Sequence, residues 1–316
     1  VNSYLITGGA GAFGQAFVRR VLKMDARRVV VFSRSESRQA EMRASITDER
    51  VRYLIGDVRD LPRLMDACRG VETVVHAAAL KRIEVCEGDP AEAVATNIMG
   101  TLNVTRACIE RGVMDGVFLS SDKAASPNTH YGATKLAAER LWVGSNAYAG
   151  AGPTRFAATR YGNVLGSTGS VVPTWRKQKA AGEITITDLR CTRFWMSIDQ
   201  AVDLVLLALR EMRGGEVFVP KIQAMPVVSL ARVIAPGCRI KLTGLRPGEK
   251  LHETLITEDE ARRTYDCGGH YVIEPETRSW GDVSPLKHPL VPDGFVYRSD
   301  TADALPVEQA LKAVAA

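Results

Sequence analysis

The chain has 316 residues, 46% hydrophobic and 24% charged, and a formal net charge of +5. This profile excludes disordered and fibrous proteins and predicts one large or two smaller domains whose core needs no disulfide staples. Dispersed basic residues, no apolar window near ~18 residues and no charged, apolar leader argue against nucleic-acid binding, membrane spanning and secretion.

Short β-branched runs at residues 4–7, 28–32, 51–55, 73–77, 116–120 and 154–160 alternate with segments of helical period. This is the sequence form of repeated βαβ units, and it predicts an α/β fold with a doubly wound parallel sheet covered on both faces. Long helices are expected at 90–111, started by Pro90, and at 132–148. Beyond Asn163 the alternation loosens and Gly/Pro punctuation rises. Residues 1–163 are therefore read as the first domain, rejoined by a helix at 198–212 and a strand at 216–219 within 196–220. A smaller, discontinuous α+β lobe is expected from 164–195 and 221–316. The six cysteines form no C-x-x-C pair and read as reduced, packed thiols of a cytosolic protein.

The first strand runs straight into Thr7-Gly8-Gly9-Ala10-Gly11-Ala12-Phe13-Gly14 and then a helical segment. Glycines there let the backbone approach a pyrophosphate lying at the positive end of the helix, so the stretch reads as a dinucleotide-binding turn. An NAD site places an acidic residue about 20 residues further on, for the ribose 2′-hydroxyl. Here the second strand ends in Ser33-Arg34-Ser35-Glu36-Ser37-Arg38. Ser33, Arg34 and Arg38 suit a 2′-phosphate, because Arg gives bidentate, charge-assisted bonds to phosphate oxygens, and NADP is favoured. The alternative has Glu36 reading NAD. Asp57 and Val58, after the third strand, are placed for the adenine edge.

The strand at 116–120 is followed by Ser121-Asp122-Lys123, and Tyr131 and Lys135 follow as Y-x-x-x-K. That spacing puts phenol and amine on one helical face. A phenol titrates near 10, so work as a base near neutrality needs a drop of about 3 units, which Lys135 and a positive nicotinamide are expected to supply. His76, His252 and His270 have no metal-ligand spacing, and no zinc site is expected.

These residues resemble the extended short-chain dehydrogenase/reductase superfamily, with its Rossmann-like domain. The likeness sharpens through Ser120-Ser121-Asp122-Lys123-Ala124-Ala125, Tyr131-Gly132-Ala133-Thr134-Lys135, Arg160-Tyr161-Gly162-Asn163-Val164, Thr192-Arg193-Phe194-Trp195 and Arg246-Pro247-Gly248-Glu249-Lys250. That set is similar to the inverting UDP-N-acetylglucosamine 4,6-dehydratases of pseudaminic-acid-type pathways and the polysaccharide-biosynthesis group around them. The resemblance implies Tyr131 as base for oxidation at carbon 4, with Lys135 holding the ribose and Ser121 bonding the 4-oxygen. It makes Lys123, its pKa lowered by burial, the base at carbon 5 and Asp122 the acid for the departing 6-hydroxyl. Ala77 and Lys81 would face the cofactor, Lys81 also the sugar. Asn163, Val171, Thr187, Arg193, Arg246 and Glu249 would surround a UDP-N-acetylhexosamine, the two arginines serving its diphosphate. A homo-oligomer, dimer or hexamer, is implied as well.

The chain departs from its relatives at Ser126-Pro127, Thr129-His130, Thr168 and Arg82-Ile83-Glu84, which flank the site. His130 is a candidate second proton carrier or an exposed loop histidine. Rival readings are a UDP-sugar 4-epimerase, which needs Tyr131 and Lys135 alone, a 5,6-dehydratase, and a cofactor-sensing binding protein with no need of Y-x-x-x-K.

Overall fold

The computed structural model describes residues 3–150, 152–165, 171–281, 284 and 286–310. Strands β1 (Ser3–Thr7), β2 (Arg28–Ser33), β3 (Val51–Ile55), β4 (Thr73–His76), β5 (Asp115–Leu119) and β6 (Arg155–Thr159) form where the β-branched runs stand. They lie in the order β3-β2-β1-β4-β5-β6, followed by Val217–Pro220, all in parallel register. The chain reverses its direction of winding between β1 and β4, and a crevice opens at the carboxyl ends of the strands at such a switch point.

Both faces are buried. Leu5, Val30, Val74 and Phe118 join one apolar cluster with Leu64, Val104 and Trp142. Their neighbours Ile6, Val31, Val75 and Val117 join another with Phe17, Val21, Met42 and Val205. The first cluster is covered by α3 (Leu61–Ala67), Gly100–Glu110 and His130–Gly144. The second is covered by α1 (Ala12–Lys23), α2 (Glu36–Ser45) and Ile198–Glu211, the helix expected to return from the lobe.

Three elements differ from expectation. The helix expected at 90–111 is interrupted by a π-helical turn, Val94–Met99, between Pro90–Ala93 and Gly100–Glu110. Within that turn Asn97 donates from Nδ2 to Leu80 O and Thr134 Oγ1, each at 3.0 Å, and accepts from Leu80 N at 2.8 Å. Insertions of this kind gather at functional sites. The helix expected at 132–148 begins at His130, capped by Thr129, and stops at Gly144. Past Ser145 a short helical turn, Asn146–Ala149, completes the expected span, with the Asn146 amide accepting from Phe156 N and donating to Phe156 O at 2.9 Å each. Finally, residues 221–316 do not all belong to the smaller lobe. His270–Ile273 pairs antiparallel with Val217–Pro220, and Thr264–Asp266 pairs with it in turn, so both extend the large sheet, to nine strands among the described residues.

The lobe packs Val171–Lys179 and Val227–Ile234 over Trp175, Ile184, Trp195 and Leu230. Its strand Thr192–Met196 lies between Asn163–Val164 and Ala224–Pro226. A buried Arg160 ties the halves together. It bonds Glu139 on the long helix, and Glu260 and Leu255 O beyond the lobe.

Candidate active site

A cavity of about 650 Å³ occupies the crevice. At its cofactor end Gly8 sits at φ +66°, and a Cβ there would come within 2.9 Å of Ala78 backbone atoms; one on Gly14 would lie 2.2 Å from Gly9 O. Helix α1 has no side-chain cap and no acidic residue in its first turn, so its N–H groups and positive end are left for an anion. These residues fit a dinucleotide pyrophosphate. Gly8, Gly11, Ala12, Phe13, Gly14, Ser33, Arg34, Arg38, Val58, Ala77 and Lys81 all line the cavity. Glu36 is exposed at the start of α2 and is not part of the lining.

Two of the expected cofactor residues act one step back. Thr7 Oγ1 lies 2.6 Å from His76 Nδ1 and accepts from Ala78 N at 3.3 Å, bracing the wall that faces the glycines. Asp57 accepts from Arg59 and lies 3.8 Å from Arg34 Nη1, so it orients arginines. Lys81 stands near Arg38 and Arg82; burial of its amine and these two cations lower its pKa.

At the other end Ser121, Asp122, Lys123, Tyr131 and Lys135 line the same cavity, with Asn163 opposite. Ser121 caps the turn after β5, donating to Asp122 Oδ1 at 2.9 Å and accepting from Lys123 N at 3.2 Å. Lys123 Nζ donates to Asp122 Oδ1 at 2.9 Å. Burial pushes the Tyr131 phenol up to about 12; Lys123 and a hydrogen bond with Ser121 pull it down, and Asp122 pushes it further up. The cation acting most on the phenol is thus Lys123 rather than Lys135. Lys135 is spent on Leu119 O, and burial draws its amine down to about 7.

Lys123 also differs from expectation. Burial works against its charge, but Asp122 and a second carboxylate, Glu253, outweigh it and hold the pKa above its ordinary value. Glu253 was not singled out in the sequence; its only signal is an acidic residue just past the Arg246–Lys250 motif. The other residues expected around the substrate do not line the cavity, and four of them, Thr187, Arg193, Arg246 and Glu249, form a group of their own. Glu249 accepts from Thr187 Oγ1 at 3.1 Å, from Arg193 Nη2 at 3.2 Å and from Arg246 N at 3.1 Å. Arg193 is buried and donates as well to the carbonyls of Thr192, Lys250 and Leu251, so its guanidinium braces the loop instead of standing open to a diphosphate. Arg246 is exposed, and Val171 begins its helix half-buried. Thr168 lies outside the described residues. His130 is neither the second proton carrier nor an exposed loop histidine: it opens the long helix, half-buried and outside the cavity lining, its Nε2 3.1 Å from Pro90 O. Among the described residues no group of three His, Cys, Asp or Glu could hold a metal, and no helix is long and apolar enough to cross a membrane.

Glycine turn, parallel sheet and a Tyr-Lys pair beside the switch point together define an extended short-chain dehydrogenase/reductase. The family model described as "Polysaccharide biosynthesis protein" matches residues 4–275, and the chain belongs to that family. It is 45% identical to the Campylobacter jejuni subsp. jejuni serotype O:23/36 protein named UDP-N-acetylglucosamine 4,6-dehydratase (inverting), over 95% of this chain and 92% of the relative. It is 39% identical to the UDP-glucose 4-epimerase of Rickettsia akari, over 88% and 84%. The X-ray structure of Pen from Bacillus thuringiensis superposes with a TM-score of 0.88 at 37% identity, covering 98% of this chain and 96% of the other.

Proposed function

We propose that the chain is an NADP-dependent dehydratase converting UDP-N-acetylglucosamine to a 4-keto-6-deoxy UDP-sugar with inversion at carbon 5, in the cytosol and for surface-glycan biosynthesis. The observation that carries this reading is the Asp122–Lys123 ion pair in the same cavity wall as Tyr131 and Lys135. The Campylobacter relative supports the substrate and outcome. NADP is supported by Arg34 and Arg38 lining the cavity while Glu36 does not. Exposed Val94 and Met99 on the 90–110 helical run offer an apolar face to a second copy, consistent with a homo-oligomer.

A nicotinamide dinucleotide held by the Gly8–Gly14 turn with Arg34 and Arg38 would supply hydride acceptance from carbon 4 and its return at carbon 6. Tyr131 can take the 4-hydroxyl proton only as a phenolate, so its own proton must first leave against the burial that holds the phenol at about 12, a loss that a positive nicotinamide would favour; Ser121 would steady the oxygen. Shifting one proton from Lys123 Nζ to Asp122 Oδ1, across 2.9 Å, yields a neutral amine and a carboxylic acid with no change of net charge. The amine then removes the carbon 5 proton, and the C–H electron pair becomes the bond between carbons 5 and 6. The C6–O bond breaks, and the hydroxyl leaves as water with the proton from Asp122. The ion pair is thereby restored. A 4-epimerase is the second reading, favoured by the Rickettsia relative. Mass spectrometry of the product from UDP-N-acetylglucosamine separates the two: loss of one water is expected, and an isomer of unchanged mass would overturn the dehydratase.

A further inference from the structure

Glu253 lies 130 residues from Lys123 in the chain, yet its Oε1 is 3.0 Å from Lys123 Nζ. It is 2% exposed and does not line the cavity. Its backbone is already fixed without the carboxylate: N donates to Ser299 Oγ and O accepts from Ser299 N, both at 2.9 Å. A carboxylate buried for structure alone saturates both oxygens, as Glu139 and Glu260 do on Arg160. Glu253 does not, since Oε2 has no hydrogen-bond partner among the described residues. A buried carboxylate used on one oxygen only, and spent on the amine at the cavity wall, is placed to act on that amine.

We infer that Glu253 is a positioning residue that biases the protons held by the Asp122–Lys123 pair, and through them the pH above which the pair can work at carbon 5. The inference rests on the dehydratase reading. In the resting site Lys123 is clamped between two carboxylates, Asp122 on its own turn and Glu253 on the segment entering Thr254–Ile256. The other charged or titratable groups facing it are Arg193 on Thr192–Met196, Lys250 on the preceding loop and Tyr131 on the long helix. Arg193 Nε stands 3.6 Å from the same Glu253 oxygen, so the two cations share this carboxylate, and Arg193 opposes its pull on the amine. Asp122 exchanges the working proton with Lys123, so the constant bias on the amine comes from Glu253. That bias holds protons on the pair, so the proton that must leave before Lys123 can pass the other to Asp122 comes off at higher pH.

The test is the pH profile of kcat/KM with UDP-N-acetylglucosamine for wild type, Glu253→Gln and Glu253→Asp. An opposite charge at this range displaces a pKa by about 1–3 units, so in Glu253→Gln the acid limb should move to lower pH by that amount, with KM little changed. Glu253→Asp keeps the charge on a shorter arm and should move the limb the same way by less; it also serves if the Gln variant does not fold. A uniform fall in rate with the limb unmoved in the folded variants would mean that Glu253 is only structural, and would overturn the inference alone. If wild type releases no dehydrated product, the dehydratase reading fails and takes this inference with it.

Discussion

Lys135 Nζ donates to the carbonyl oxygen of Leu119 at 2.6 Å, and so fastens the long helix His130–Gly144 to the end of β5. Phe118 lies beneath it, ring centroid 3.9 Å from the nitrogen. Burial draws the amine down to about 7, against an ordinary value of about 10.4. The sign follows from linkage: below pH 7 the ammonium exists in both states and carries its full burial penalty. Between about 7 and about 10.4 the unfolded chain binds more protons, so stability rises with pH. Denaturant titrations of wild type and Lys135→Met should therefore diverge in wild type's favour across that window and run parallel below it. Parallel curves throughout would show that Lys135 is not held neutral-leaning.

Tyr131→Phe removes only the ionisable oxygen from a ring that is 8% exposed. Turnover should fall by at least about 10²-fold, the range for general acid–base groups, while the thermal midpoint and dinucleotide affinity stay near wild type. Turnover close to wild type would remove Tyr131 from the chemistry.

Arg34→Ala and Arg38→Ala each delete a guanidinium from the cavity lining. A hydrogen bond to a charged group is worth about 1.5–3 kcal/mol, so NADP affinity should drop about 10–100-fold. NAD affinity should change much less, since NAD lacks the phosphate. Calorimetric titration with both cofactors checks this, and equal losses for the two would mean that neither arginine reads a 2′-phosphate.

Much of this was legible in the sequence because period and punctuation are local. The strands at 51–55 and 73–77 came within a residue of β3 and β4, since β-branched runs between turn residues leave little choice. The π turn at Val94–Met99 was not legible, because it accompanies bonds from Asn97 to Leu80 and Thr134, which lie far apart in the chain. Glu253 escaped for the same reason: nothing near it in sequence says that its partner is Lys123. Arg193 was read as a ligand cation because residue type is visible and saturation is not; its donors are taken by carbonyls that only the fold assembles.

Arg160 holds Glu139 and Glu260 in a site where all three side chains are buried. Burial opposes the charge of Glu260, but Arg160 outweighs it and holds the carboxyl down to about 2. Arg160→Met leaves two carboxylates without their cation and should cost about 3–5 kcal/mol in urea unfolding. Because the folded pKa of Glu260 is depressed, its contribution is present above about 4.3 and lost as pH falls towards 2. The gap between wild type and variant should therefore narrow over that range. A variant as stable as wild type at pH 7 would show the cluster to be dispensable.

Asp122 and Lys123 carry the stereochemical prediction. Lys123 lines one wall of the cavity, so a proton removed by its amine would leave from one face of a sugar ring bound there. Inversion requires the returning proton to arrive on the other face from a different donor, and that donor exchanges with solvent. Product formed in deuterium oxide should then carry one deuterium at carbon 5 in the inverted configuration, read by NMR. Lys123→Ala should stop loss of water while oxidation at carbon 4 remains possible, so reduced cofactor should accumulate, read by its absorbance. Asp122→Asn retains the shape but not the acid, and should slow departure of the 6-hydroxyl by about 10²–10⁴-fold. If Lys123→Ala still releases water and the product keeps its carbon 5 configuration, the Asp122–Lys123 pair is a loop ion pair and the elimination belongs to other groups.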